Sequence, residues 1–195
     1  MKRVGLTGGI GCGKTTVVDE FLRRGIPCFI ADRHAAGYYN DASFLSELRQ
    51  ELGDSAFHAD GTADKARIAS LVFSNHEALR RLNALVHPRV MNDFAVWAST
   101  QDAPYVIMES AIIFEYQLEK HFDKVIAVYL EEEERMQRLL LRDKTTRELL
   151  EQRMRNQMSA EEKMDLADYV ILNYEGNPRQ RQVATIDHYL RDCQP

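Results

Sequence analysis

"MKRVGLTGGIGCGKTTVVDEF", residues 1–21, sets four glycines (Gly8, Gly9, Gly11, Gly13) between the apolar run Val4–Thr7 and a stretch of helical periodicity. Gly8 to Thr15 fits G-x-x-x-x-G-K-[ST], and average residue usage would produce such a match in roughly one chain in a hundred of this length. A strand before it and a helix after it make chance rarer still. Each residue type has a physical reason. Glycines such as Gly9, Gly11 and Gly13 let backbone N–H groups turn inward around an anion, and the helix N-terminus adds unpaired donors. Lys14 supplies a point charge for terminal phosphates, Thr15 a hydroxyl for Mg²⁺, and Thr16 a donor to a phosphate oxygen. Cys12 reads as a small residue that fits the loop.

Outward from this loop, strand-length apolar runs recur at Cys28–Ala31, Tyr105–Met108, Lys124–Leu130 and Tyr169–Leu172, none joined to the next by a two-residue turn. Helical stretches separate them. That alternation predicts an α/β fold with a five-stranded parallel sheet covered on both faces by helices. In the first helix Val17, Val18, Phe21 and Leu22 form the apolar stripe, and Gly25 with Pro27 supplies a stop. Residues 34–99 read as amphipathic helices without a strand, too long for a connector, so a helical subdomain inserted between the second and third strands is expected. Residues 131–166 form a second polar, helix-rich insertion carrying Arg135, Arg138, Arg142, Arg147, Arg153 and Arg155. Residues 1–33, 100–130 and 167–195 are left as the nucleotide-binding core.

The formal net charge of −5, from 25 basic and 30 acidic residues, gives no support to a nucleic-acid groove built on bulk positive potential. Cys12, Cys28 and Cys193 lack disulfide or metal-ligand spacing, which points to a reducing compartment. With no signal-peptide pattern and no run of eighteen apolar residues, a cytoplasmic protein without membrane contact is expected. Neither D-x-x-G nor N-K-x-D occurs, which disfavours a guanine-reading switch. A small-molecule kinase needs instead a base near the acceptor hydroxyl and cationic cover over the transferring group. Asp32, closing "CFIADRHA" (28–35), is the candidate base and a candidate Mg²⁺ ligand. The competing reading makes it the N-cap of a helix starting near Arg33.

At this point the chain resembles the dephospho-coenzyme A kinases along essentially its whole length. The resemblance rests on "LTGGIGCGKTT", "ADRHA" around Asp32, "DGTADKARIASLVF" (60–73), "LNALVHP" (82–88), "IIFE" (112–115), "LLLRDKTTRE" with "QRMRNQ", and "ADYVILNYEG" (167–176). It implies a P-loop nucleotide-kinase fold that transfers the γ-phosphoryl of ATP, with Mg²⁺, to the 3′-hydroxyl of dephospho-CoA. The catalytic residues it implies are Lys14, Asp32 and Arg142, with Arg147 second to Arg142 in a mobile lid over residues 131–166. Asn173 falls close to the adenine of ATP. Acceptor binding falls on Asp32, Arg67, Asn83, His87 and Glu115, with 34–99 as the acceptor subdomain. No obligate protein partner is expected.

The chain departs from the commoner pattern at Ile30, where an Asp often stands, and at Ala111, where a Pro does. Glu109 then offers a carboxylate the common pattern lacks. Two readings stay open at several positions. His87, before Pro88, ends a helix or contacts the acceptor, and Glu115 is a strand-end carboxylate or the first acid of a helix. Arg142 and Arg147 swing inward, or pair with neighbours such as Asp143 and Glu148. Phe94 and Trp97 at helical spacing read as core, and His58, His76, His121 and His188 as surface or structural. The alternatives in activity are a nucleoside or nucleotide monophosphate kinase and, in another class, an ATP-binding regulatory protein.

Overall fold

The computed structural model describes residues 1–143, 145–155 and 157–192. Cys193, and Lys144, Asn156 and the side chain of Arg153 in the arginine-rich segment, lie outside the described residues. The chain divides into two units, one of Met1–Ile30 with the residues from Gln101 onward, the other Ala31–Thr100.

In the first unit five strands form one parallel sheet: β1 (Lys2–Thr7), β2 (Cys28–Ile30), β3 (Tyr105–Glu109), β4 (Lys124–Tyr129) and β5 (Tyr169–Leu172), in the order β2-β3-β1-β4-β5. Strand β1 lies at the centre because both its neighbours pair with it in parallel, Leu6 opposite Glu109 on one side and Ile126 on the other. Its last four residues are buried and β3 is buried throughout, which is why both strands read as continuous apolar runs. Helix α1 (Lys14–Arg23) lays Val17, Val18 and Phe21 on this sheet and stops at Gly25, whose N–H donates to the Leu22 carbonyl. They share a core with Leu6, Tyr105, Val128 and Ile171, and with Val183, Ile186 and Leu190 of a helix at Arg179–Asp192.

Between β4 and β5 run three further helices of this unit, Glu132–Asp143, Arg147–Met154 and Ala160–Leu166. The first two enclose Met136, Leu139 and Leu150, and Ile10 of the glycine loop packs into that cluster. Apolar contact therefore attaches the arginine-rich segment to the loop.

The second unit is helical: α2 (Ala31–Gly37), α3 (Ala42–Leu52), α4 (Lys65–Ser74) and α5 (His76–Ser99), around Phe44, Leu48, Ala56, Phe57, Ile68 and Val72. Asp41, Asp64 and Asn75 cap α3, α4 and α5 by accepting backbone N–H bonds. The "DGT" stretch is a tight turn in which Asp60 Oδ1 accepts from the N–H and hydroxyl of Thr62. Helix α5 does not end at His87. It continues through Pro88 for eleven residues to Ser99, because burial of Val90, Phe94 and Ala98 outweighs the one helical bond that proline deletes. Trp97 stacks on buried Phe94 at a centroid distance of 6.1 Å, as core aromatics do. In keeping with the helix naming above, the helices at Glu132–Asp143, Arg147–Met154, Ala160–Leu166 and Arg179–Asp192 are α6, α7, α8 and α9.

Candidate active site

The glycine loop leaves β1 at Thr7 and enters α1 through Gly13, whose φ of 88° and ψ of 30° lie in the left-handed region that a side chain disfavours. The N-cap residue Gly13 offers no side chain to cap α1; the Lys14 N–H faces the Cys12 sulfur, and the Thr15 N–H in the first turn is left for an anion. The walls are close. A Cβ on Gly9 would overlap the Arg135 guanidinium, one on Gly11 would stand 2.8 Å from Leu139 Cγ, and one on Gly13 would overlap the Asn173 amide. Glycine is needed here because α6 and the end of β5 press on the loop.

Lys14 reaches back across the loop, and its Nζ donates to the Gly8 carbonyl at 2.9 Å. It also stands 3.8 Å from Glu109 Oε1, with 13% of the Lys14 side chain and 10% of the Glu109 side chain exposed. The carboxylate noted in "MESAIIFE" is thus the ammonium's neighbour, placed at the end of β3. Thr15 and Thr16 are exposed on the first turn of α1. Cys12 is fully buried, and burial pushes its thiol up, against the pull of Lys14, Arg135 and Lys163. A protonated, buried thiol is no nucleophile.

Asn173 is 4% exposed, and both ends of its side chain are engaged: Nδ2 donates to the Cys12 carbonyl at 2.7 Å, and Oδ1 accepts from Arg179 at 2.9 Å. It therefore holds the loop from behind. A cavity of about 610 Å³ opens beside it, bordered by Tyr129, Arg138, Leu141, Tyr174 and Glu175.

The arginines of 131–166 divide sharply. Arg142 bonds Asp143 at 2.6 and 3.1 Å on an exposed face, and Arg147 bonds Glu133 at 2.6 Å and Glu151 at 3.2 Å. Arg138 pairs with Glu134. Arg135 is the exception at 5% exposed, lying on Gly9 with its Nε buried and without a hydrogen-bond partner. Its ion pair is with exposed Glu132, at 4.0 Å. From the same segment Gln157 Oε1 accepts the Ile10 N–H at 3.1 Å.

Glu115 neither ends a strand nor begins a helix: β3 stops at Glu109, and residues 111–117 form turns. Glu115 Oε1 lies 2.6 Å from the Nζ of fully buried Lys163, on α8, and accepts the Met158 N–H at 3.0 Å. Lys163 also donates to the Ala111 carbonyl at 2.6 Å, and burial lowers its pKa against the pull of Glu115. Neither Arg135 nor Lys163 is marked by any motif. A buried cation inside a polar helix carries no periodic signal, and proximity to the loop is its only signature.

In the Ala31–Thr100 unit, α2 starts at Ala31, so Asp32 is exposed in its first turn and is not its cap. Arg67 is exposed on the first turn of α4, 3.2 Å from Asp64. Asn83 and His87, four residues apart, share a face of α5. Burial pushes His87 down to about 4, so it is neutral at physiological pH and can hydrogen-bond an acceptor without bringing charge.

Among the described residues no three His, Cys, Asp or Glu side chains gather as a metal-binding cluster, and no helix is long and apolar enough to cross a membrane. Residues 2–178 match the family model described as dephospho-CoA kinase. The chain is 32% identical over 170 residues to a dephospho-CoA kinase of Fusobacterium nucleatum, covering 87% of this chain and 88% of the relative. A crystal structure of TT1252 from Thermus thermophilus aligns with a TM-score of 0.85 at 30% identity, covering 100% of this chain and 98% of that one. A dephospho-CoA kinase from Campylobacter jejuni, at 22% identity and a TM-score of 0.65, shares the fold over 97% of this chain and 96% of its own.

Proposed function

The chain belongs to the dephospho-CoA kinase family, and from that premise we propose that it transfers the γ-phosphoryl of ATP to the 3′-hydroxyl of dephospho-CoA, giving coenzyme A and ADP. The observation that carries this reading is the cradle from Gly8 to Thr16, an uncapped helix N-terminus behind Gly13 with the Lys14 ammonium lying across the loop. A kinase needs three things from its protein: a hold on the polyphosphate, a proton acceptor for the attacking hydroxyl, and cations that match charge as it spreads over the transferring group.

The Thr15 N–H in the first turn of α1 takes the phosphate nearest the helix. Lys14 exchanges the Gly8 carbonyl for β and γ oxygens, a stronger, charge-assisted bond. The base is assigned to the cavity beside Tyr174, which is large enough to admit a purine and ribose, with Asn173 keeping the loop in register. Asp32 accepts the proton of the acceptor 3′-hydroxyl as its oxygen attacks phosphorus and the bond to ADP breaks. The neutral His87 ring, with Asn83 and Arg67, supplies contacts to the acceptor's ribose and phosphates. Arg142 and Arg147 exchange their exposed acidic partners for the phosphoryl group when residues 131–166 close as a lid.

Mg²⁺ takes one or two protein oxygens and completes its shell with phosphates and water, and the Thr15 hydroxyl, exposed on the first turn of α1, is a donor of that kind. When bound it draws charge from the β and γ oxygens. The unpaired, loop-buried Cys12 and the half-buried free Cys28 suit a cytoplasmic setting.

The test is an acceptor screen. ATP with Mg²⁺ is offered dephospho-CoA, deoxynucleosides and nucleoside monophosphates, and ADP release is read for each. Turnover with dephospho-CoA at least tenfold above the others in kcat/KM is expected. Preference for a nucleoside or its monophosphate would replace this reading with that of a nucleotide kinase, and ADP release independent of every acceptor would replace it with that of a regulatory ATPase.

A further inference from the structure

Three cations act on the Cys12 thiol at the heart of the loop: Lys14, Arg135 and Lys163. Two have close acidic partners, Lys14 with Glu109 at 3.8 Å and Lys163 with Glu115 at 2.6 Å. Arg135 does not. Its side chain is 6% exposed, its Nε is buried with no partner, and among the described residues its ion pair is with the Glu132 carboxylate, 4.0 Å away and 69% exposed. A guanidinium so deeply buried with so weak a counterion destabilises the fold unless an anion offsets it. Its place is specific. It lies on Gly9 and borders a cavity of about 330 Å³ that Glu132, Glu151, Arg155 and Gln157 also line, the Gln157 amide oxygen accepting the Ile10 N–H. Gly9 adjoins Gly8, whose carbonyl takes the Lys14 ammonium, so the two cations address the same limb of the loop.

Resting on the kinase reading above, we propose that Arg135 is a catalytic residue that contacts the γ-phosphoryl group of ATP from the Gly9 side, alongside Lys14. Its fork of donors matches a phosphoryl group bidentately, which the point charge of Lys14 does not. Because α6 also buries Met136 and Leu139 against Leu150, this guanidinium is held in place before nucleotide arrives. That distinguishes it from Arg142 and Arg147, which must leave acidic partners first. Preorganised charge of this kind loses little to rearrangement as the transition state forms.

The test compares wild type with Arg135→Gln and Arg135→Lys in the full chain. Calorimetry gives the dissociation constants of Mg-ADP and of a non-hydrolysable Mg-ATP analogue, steady-state assays give kcat, and melting curves report the fold. Arg135→Gln is expected to lose about tenfold or more of the preference for the ATP analogue over ADP and to lower kcat by about 10²-fold, with ADP affinity and melting temperature unchanged or raised. Arg135→Lys should restore part of the preference. If Arg135→Gln does not fold, Arg135→Lys decides: a reduced ratio of the two affinities supports the assignment. An unchanged ratio in whichever variant folds overturns it, and a lowered melting temperature with wild-type kcat makes Arg135 a prop for α6 instead. Binding is read without an acceptor. Failure of the wild type to phosphorylate dephospho-CoA would therefore refute the functional reading and leave this result standing.

Discussion

Replacing Lys163 by methionine is expected to remove about 4–6 kcal/mol of stability at neutral pH. The Lys163 ammonium is fully buried and makes two short contacts, 2.6 Å to Glu115 Oε1 and 2.6 Å to the Ala111 carbonyl. Methionine keeps the length and removes the charge. The Glu115 carboxylate is then left with the Met158 N–H on one oxygen and nothing on the other, since Oε2 is already buried without a partner. Breaking one side of a buried ion pair costs about 3–5 kcal/mol, and the orphaned Ala111 carbonyl adds about 1. For a chain of 195 residues that corresponds to a drop in Tm of about 8–24 °C.

Guanidinium denaturation of wild type, Lys163→Met and the double variant Lys163→Met/Glu115→Leu at pH 7 measures this. The double variant should recover all but about 1–2 kcal/mol, because an apolar pair replaces an ion pair at little cost once neither charge is stranded. A single variant within about 1 kcal/mol of wild type, or a double variant no more stable than the single, would refute the argument that this pair anchors α8 to the 111–115 loop.

Lys14→Ala should abolish phosphoryl transfer while Tm holds, because Nζ caps one loop carbonyl and meets Glu109 only at 3.8 Å; near-normal turnover would remove the loop from the chemistry. Asp32→Asn, exposed and without a capping role, should lower kcat by about 10² or more and leave the KM for ATP near wild type, as loss of a general base does; unchanged kcat would move the search for a base to Glu109. Arg142→Ala should lower kcat by about one to three orders of magnitude yet shift stability by under about 0.5 kcal/mol, since its pair with Asp143 is exposed; wild-type kinetics there and at Arg147 would leave the lid without a catalytic arginine. His87 contributes stability that is present above its unfolded value near 6.5 and is lost as pH falls toward its folded value of about 4, roughly 1–2 kcal/mol after allowance for its partial exposure. Urea titrations of wild type and His87→Gln between pH 4 and 7 check the sign, which a steeper loss in the variant would reverse.

The amino-acid sequence by itself determined the elements of this protein whose causes are local. Val4–Thr7, Tyr105–Glu109 and the run Val125–Val128 declare themselves because parallel strands buried on both faces must be apolar along their length. The glycine loop is legible because phosphate-binding backbone admits no side chain, and α3, α4 and α5 because their stripes and caps act within four residues. The tertiary structure alone decided what depends on contacts between residues far apart in the chain. Strand order is one such property, since each run could pair equally well with several others. The run of α5 through Pro88 is another: proline's local penalty favours a break, and only burial of Val90 and Phe94 overrides it. The charges make the same point most plainly. Arg135, Arg142 and Arg147 look alike along a polar helical segment, and the resemblance to known kinases favoured the latter two. Which of them is buried on Gly9 depends on the angle at which Met136 and Leu139 seat α6 against the loop, and Lys163 finds Glu115 forty-eight residues away only once β3 and α8 are in place. A cation's partner in a folded chain is set by desolvation and distance, and neither exists until the backbone has closed around it.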